Sequence, residues 1–324
     1  MKVSVTEIES RSRAALLAHG AGKMQAAEVA KAVARAEAFG NVICGLYYLE
    51  SYCIQLTSGR VNGTVTPKVT RPRPAAILSD AAFGFAQPAF AAALPEAVAA
   101  ALENGVATLA VAHAHTCTSL GYFTEQIAAA GLIGIGFTNA SPVVAPPGGN
   151  ARVIGTNPIA MTVPGEDGPL MHFDFSTSAV ALGKITMAKA AGEKIPPGWA
   201  VDVDGNPTTD PDAALKGALV SAGGYKGWGF GLMAELLAAG MTGSVNSLDV
   251  AGLKLADGPP HDLGQFYILM DPGTYHDGFA VRFARVADAV AAQEGARIPG
   301  ADRQAMTEVE VPNALWDLVL RLSG

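Results

Sequence analysis

Three cysteines, Cys44, Cys53 and Cys117, are all that 324 residues carry, and their odd number and wide spacing argue against a disulfide framework. Free thiols suit a reducing compartment, and the cytoplasm is the expected location. Charge is sparse too: 16% of residues are Asp, Glu, Lys or Arg, with a formal net charge of -7. An acidic balance of this kind argues against broad nucleic-acid or anionic-membrane binding, since both depend on clustered Lys and Arg. Apolar windows such as AFAAALPEAVAAAL are interrupted by Pro95 and Glu96, so no membrane span is expected. The opening MKVSVTEIESRSRAALLAHG places charges where a secretory leader has its apolar core, and secretion is not indicated. Missing as well are GxGxxG and the P-loop pattern. GLIGIGF is a GxxGxG arrangement inside an apolar run, the pattern of a tightly packed strand, which disfavours a standard dinucleotide-binding fold.

What the chain does have is apolar bulk and a change of character along its length. Half of its residues are hydrophobic, the composition of a compact globular protein. Ser4 followed three residues later by Glu7 reads as a capping box opening a helix that Gly20 ends. Ala27, Val29, Ala30, Val33 and Ala34 give a second helix over residues 24–39 its apolar face, and a third is expected over 46–56. Residues 61–74, VNGTVTPKVTRPRP, read as a linker. From Ala75 short apolar runs alternate with helical stretches: AAILSD, a helix over 88–104, VATLAVA, a helix over 122–130, then GLIGIGFTN. Further strands are expected at 158–163, 169–175 and QFYILMD, and further helices at 212–220, 227–239, 279–294 and 311–322. Such alternation makes the fold class mixed α/β (α+β), a sheet with helices against it.

The stretch 147–231 gathers PGGNARVIGTNPIAMTVP, FDFSTS, GWAVDVDGNPTTDP and GGYKGWGFG, loop-forming clusters separated by strand-like runs. Loops so grouped, carrying Asn157, Asp174, Ser176, Thr177 and Lys226, suit a polar small molecule. Lys226 stands among glycines ahead of an apolar helical run, where an ammonium on a long stem serves a phosphate or carboxylate; a solvated lysine in a turn is the alternative. Asp174 ends a strand and either orients a ligand or caps the following turn. Asn157, held extended by Pro158, either bonds a ligand or closes its own turn. His113, His115 and Cys117 alternate as on one strand face. A structural zinc needs a fourth ligand, and no CxxC or HxxxH partner is present, so a proton-donating or a hydrogen-bonded structural histidine fits better.

Taken in order, TNASPVVAPPGG, IGTNPIA, FDFSTSAVALGKI, IPPGWAVDVDGNPTTDP and GGYKGWGFGLMAELLAAGMTG resemble the successive motifs of the type-2 malate/L-lactate dehydrogenase family, strongly over residues 131–243 and more faintly at both ends. That family includes reductases of 2-oxo acids, ureidoglycolate dehydrogenase, sulfolactate dehydrogenase, and reductases of pyrroline-2-carboxylate and piperideine-2-carboxylate. The resemblance implies an oxidoreductase with a non-Rossmann dinucleotide-binding sheet domain, using NADPH or NADH, and a homodimer with its site near the subunit interface. It also implies a helical domain built from both chain termini: residues 1–72 as its N-terminal part, 73–262 as the NAD(P)-binding α/β domain, and 263–324 returning to the helical domain. By the same resemblance Ala140, Asp174, Phe175, Ser176 and Lys226 fall where the family contacts the dinucleotide, and Thr156 and Asn157 lie in the signature loop lining the site.

Two departures bear on the substrate. Family members carry Ser-His-Gly-x-x-Arg after the second helix, the His moving a proton and the Arg near the substrate. Here the stretch is Ile43-Cys44-Gly45-Leu46-Tyr47-Tyr48, so Cys44 stands for the His and Tyr48 for the Arg. A second functional histidine of the family corresponds to Thr116, with His115 beside it. Reducing a ketone to an alkoxide demands a proton donor, whose loss costs on the order of 10²–10⁴-fold in rate. A cyclic imine can arrive already protonated, so hydride transfer neutralises charge instead of creating it. The expected activity is therefore reduction of a cyclic 2-imino acid to an L-amino acid such as proline or pipecolate. His115 and Tyr48 would manage protons, and Cys44, Tyr48, Thr156 and Asn157 would bind this small-molecule substrate. The rival expectations are a 2-hydroxy-acid dehydrogenase of malate or lactate type and a catalytically silent dinucleotide-binding homologue.

Overall fold

Both ends of the chain build one layer and its middle builds another. In a computed structural model, which describes residues 1–324, β1 (Lys2–Ser4) leads into α1 (Val5–Ala18), α2 (Lys23–Ala38) and α3 (Leu49–Ser58). Ser4 caps α1 by accepting from the Glu7 amide at 3.2 Å, which satisfies one orphan donor of the first turn. Two 3-10 turns, Val42–Cys44 and Leu46–Tyr48, stand between α2 and α3. The sheet region follows with β2 (Lys68–Arg73), β3 (Ala76–Asp80), α4 (Ala86–Asn104), β4 (Val106–Ala114), α5 (Gly121–Ala129), β5 (Ile133–Thr138), β6 (Ile159–Val163) and β7 (Met171–Phe175). A small lobe holds α6 (Leu182–Ala191), β8 (Ala200–Val201), β9 (Pro207–Thr208), α7 (Pro211–Lys216) and β10 (Ala218–Leu219). α8 (Tyr225–Glu235) continues into a π turn, Leu236–Gly240, and β11 (Leu263–Met270), α9 (Phe279–Ala291), β12 (Glu308–Glu310) and α10 (Asn313–Ser323) complete the chain.

Seven strands in the order β2-β3-β4-β11-β5-β6-β7 form the main sheet. Only β3 and β4 run parallel, and every other neighbouring pair is antiparallel. A doubly wound dinucleotide fold needs a mostly parallel sheet, so this is a mixed α/β fold of non-Rossmann type. The stretch read as a linker contains β2, which lies at the sheet edge, where Pro72 is tolerated because one side of the ladder is unpaired. β11 begins at residue 263, where the C-terminal segment is expected to return to the helical domain. It is the central strand, between β4 and β5, and the chain leaves the sheet only after Met270. The helix expected over 212–220 stops at Lys216, because Gly217 packs directly on the backbone of Val201 and Asp202 and turns the chain into β10. The pairs β1–β12 and β8–β10 involve strands too short to show periodicity.

Two cores follow from this order. Between the sheet and helices α4 and α5, Phe90, Leu109, Phe123, Ile127, Tyr267 and Leu269 are buried together. In the helical layer Ile8, Leu16, Val33 and Leu49 pack with Val309, Trp316 and Val319 from the other end of the chain. Each such side chain removed from water stabilises the fold by roughly 1.5–3 kcal/mol, which is what holds the two termini in one layer. No helix is long and apolar enough to cross a membrane.

Candidate active site

The 3-10 turn that carries Cys44 is pinned by Glu37 of α2. This buried carboxylate accepts from the Leu46 amide at 2.7 Å and fills the space that a side chain at Gly45 would need. Burial raises its pKa, and the bond from Leu46 partly offsets that. On the turn so fixed, burial pushes the Cys44 thiol up to about 12, and the Asp174 carboxylate adds to the shift. Tyr48 is raised by burial and then by Cys44, Tyr47 and Cys117. Cys117 is raised by burial and then by Asp174 and Cys44. Mutual fields of this kind act over short distances, so Cys44, Tyr48, Cys117 and Asp174 lie near one another.

Asp174 reaches this group from the end of β7. Its Oδ2 accepts from the Gly121 amide at 2.8 Å and from Ser119 Oγ at 3.2 Å, which sets a carboxylate at the positive end of α5. Burial raises its pKa, and those two bonds oppose the rise. Gly121 has to be glycine because a Cβ there would strike His172 and Asp174. Across the cleft stands the first turn of α6, where a Cβ on Gly183 would lie 3.9 Å from Ile43 Cδ1.

A second edge of the cleft is shaped for an anion. α8 starts at Tyr225 behind Gly223 and Gly224, whose φ values of 64° and 65° put both in the left-handed region that glycine favours. Gly224 as N-cap offers no side-chain acceptor, so the first amides of α8 keep their hydrogen-bonding capacity. Lys226 is exposed and takes part in no ion pair or hydrogen bond, and Ser221 Oγ nearby is buried without a partner. Free amides, a free ammonium and an unpartnered hydroxyl fit the pyrophosphate of a dinucleotide.

The remaining expected residues divide sharply. Thr156, Ala140 and Ser176 are half-buried along the same cleft loops, and Phe175 is exposed with its ring stacked on Phe173 at 4.9 Å. Asn157 is 0% exposed, and its side chain bonds within the protein. Its Nδ2 donates to the Gly231 carbonyl at 3.0 Å and to Glu235 Oε2 at 2.8 Å, and its φ of 35° is left-handed where an extended residue was expected. The amide closes the loop onto α8 instead. His115, expected as a catalytic residue, is 1% exposed and sealed between Tyr52, Phe85 and His261, the last stacked at 3.8 Å. Its Nε2 donates to Gln55 Oε1 at 2.6 Å, so it ties α3 to the chain leaving β4. Burial first and His261 second lower its pKa, which keeps it neutral. His113 turns away to pair with Asp262 at 2.7 Å, so the H-x-H-x-C residues do not converge, and no metal-binding cluster is present.

Sequence reading missed Glu37, Glu235, Ser119 and Cys117 as organising residues. Nothing local marks them, since each acts on a partner brought in by tertiary packing.

A mixed antiparallel sheet, a layer made from both termini and a dinucleotide-ready loop define an oxidoreductase outside the Rossmann class, and the chain belongs to the malate/L-lactate dehydrogenase family, whose model matches residues 3–316. Within it, the chain is 38% identical over 328 residues to the Δ1-pyrroline-2-carboxylate reductase of Ancylobacter novellus, covering 98% of this chain and 96% of that protein. It is 37% identical over 320 residues to the (2R)-3-sulfolactate dehydrogenase (NADP(+)) of Chromohalobacter salexigens, covering 97% and 96%. Among solved structures, Δ1-piperideine-2-carboxylate reductase from Pseudomonas syringae superimposes with a TM-score of 0.91 at 31% identity, over 99% of both chains.

Proposed function

We propose that the protein is an NAD(P)H-dependent reductase of a cyclic 2-imino acid, taking pyrroline-2-carboxylate or piperideine-2-carboxylate to L-proline or L-pipecolate. The observation that carries this reading is the composition of the pocket wall. Where ketone reduction would need a proton donor there is a Cys44 thiol held protonated by its environment, and the neutral His115 is sealed elsewhere. The relatives named for pyrroline- and piperideine-2-carboxylate reduction support it.

The nicotinamide, when bound, supplies the hydride. Lys226, the first amides of α8 and Ser221 would hold its phosphates, and Ala140, Phe175 and Ser176 would border it. Asp174, whose Oδ2 is held by the Gly121 amide and Ser119, would when ionised favour the iminium over the free imine. As the imine carbon accepts hydride, the C=N π pair moves onto nitrogen, which keeps its proton. No alkoxide forms, and Cys44 and Tyr48 serve as neutral walls. Thr156 lines the substrate side of the signature loop.

An NAD(P)H-consumption screen over pyrroline-2-carboxylate, piperideine-2-carboxylate, pyruvate and oxaloacetate tests the reading. Faster turnover of pyruvate or oxaloacetate than of either imine would sink it. That outcome would favour a 2-hydroxy-acid dehydrogenase, the reading supported by the sulfolactate dehydrogenase relative. Dinucleotide binding with no turnover of any of the four would mark a silent homologue. The functional unit is a homodimer packed through the apolar residues exposed on α8 and its π turn, Phe230, Met233 and Leu236; a monomer by light scattering would refute it. Three free thiols suit the reducing cytoplasm.

A further inference from the structure

We infer that His261 is a positioning residue for Asp174: its Nδ1 fixes the chain at Thr116, and the turn beyond carries Ser119 to the Asp174 carboxylate. The inference deepens the imino-acid reading, on which it rests for what Asp174 does in turnover.

The clamp begins with a ring whose acceptor is defined by its surroundings. Thr116 donates its amide to His261 Nδ1 at 3.2 Å, so Nδ1 carries a lone pair and the ring proton sits on Nε2. Burial first and the Arg60 guanidinium second hold His261 at about 3, which keeps that lone pair available near neutrality. The ring is 1% exposed and stacks on His115 at 3.8 Å, with 17° between the planes. His115 is itself oriented. Gln55 Nε2 donates to the carbonyls of Leu253 at 2.9 Å and Leu255 at 2.7 Å, which turns Gln55 Oε1 toward His115 Nε2 at 2.6 Å. The backbone under His261 is held as well: Pro260 precedes it, Arg60 donates to the Pro259 carbonyl at 2.9 Å, and Asp262 pairs with His113 at 2.7 Å.

Strain then marks the turn that the clamp controls. Thr118 has a φ of 60°, and His113 and Asp262, next to the clamped residues, have φ values of 51° and 48°. A β-branched residue stays left-handed only where its surroundings impose it. Thr118 lies between Thr116, which His261 holds, and Ser119, whose Oγ donates to Asp174 Oδ2 at 3.2 Å. Gly121 donates its amide to the same oxygen at 2.8 Å. Besides a 3.3 Å bond from Gln87 Nε2 to the Cys117 carbonyl, the His261 bond is what sets the near end of this turn. Without it Thr118 can relax, and relaxation swings Ser119 off the carboxylate.

The test uses two variants of the full-length protein that separate packing from hydrogen bonding. His261→Phe keeps a ring on His115 and removes the acceptor, whereas His261→Asn loses the ring and keeps an acceptor, its Oδ1, where Nδ1 stands. Amide exchange resolved to single residues should quicken about 10-fold or more at Thr116 and several-fold at Gly121 in His261→Phe. In His261→Asn both should stay within about 2-fold of the wild type. In NADPH-consumption assays, kcat/KM for pyrroline-2-carboxylate should fall about 10-fold in His261→Phe, the scale of one lost hydrogen bond to a charged group, and His261→Asn should recover most of it. Ser119→Ala should show the same loss, and adding His261→Phe to it should cost no more, because both act through one bond. Unchanged exchange at Gly121 in His261→Phe overturns the inference. So does His261→Asn behaving as His261→Phe does, which is the mark of a packing role, and so do additive losses in the double variant. Failure of the imino-acid reading is read separately, as a wild type that turns over no imine while Gly121 exchange still depends on residue 261.

Discussion

Two polar regions of this molecule differ in how much of their hydrogen-bonding capacity is already used. Around Glu235 almost none is left. Its carboxylate accepts from Asn157 Nδ2 at 2.8 Å, from the Ser247 amide at 2.7 Å and hydroxyl at 2.5 Å, and from Asn246 at 3.2 Å. Around Cys44 much is spare: Lys254 faces only rings, and across the cleft Lys226 and Ser221 Oγ have no partner. Residue type does not separate the two, since a serine and an acidic side chain occur in both. The saturated region is closed to further partners, and the unsaturated one keeps its donors free.

The largest expected effect is on the sealed side and comes from acid. Burial lowers the pKa of His115 and holds those of His172 at about 4 and His261 at about 3, against 6.5 in the unfolded chain. The folded state therefore binds fewer protons than the unfolded one below pH 6.5. Stability is fully present above that pH and is lost as pH falls toward 3–4. At pH 5 the loss should be on the order of 4 kcal/mol for His172 and His261 together, with His115 adding in the same direction. Urea unfolding at pH 7.5 and pH 5 checks this, and an unchanged midpoint would mean that the rings are hydrated.

Next comes Glu235→Leu, which strands the buried donors of Asn157 and Ser247 and should cost about 3–5 kcal/mol by denaturant titration. A loss near zero would erase the contrast between the regions. Asp174→Asn acts on the open side. It should lower kcat/KM for pyrroline-2-carboxylate about 10²-fold by removing the counter-charge, while losing only about 0.3–1 kcal/mol of stability from the α5 terminus. The reverse pattern, with stability collapsing and activity intact, would move Asp174 to the structural side. His115→Gln, which can still donate to Gln55, should change kcat least, by about 2-fold, well below the 10²–10⁴-fold typical of a lost proton donor. A drop of that larger size would restore His115 to the mechanism.

The regular elements were legible because burial is periodic. The Ser4–Glu7 start of α1, the helix from Lys23 to Ala38 and strands β3 to β7 all follow from spacing of apolar residues. Short or edge elements were not. β2 carries Pro72 and reads as a linker, and β11 shows as a strand but not as the sheet's centre. In the candidate site, Asp174 and Lys226 were singled out by the loops that carry them. Asn157 and His115 looked equally functional and proved internal, because their partners Glu235 and Gln55 are distant in sequence.

By itself the amino-acid sequence determined the longer helices and strands and the family. These are properties of local spacing and residue identity. Only the tertiary structure decided which polar side chains keep a free valence. That depends on what packing brings against them: Glu235 against Asn157, Gln55 against His115, and the rings of Tyr47 and Tyr48 against Lys254.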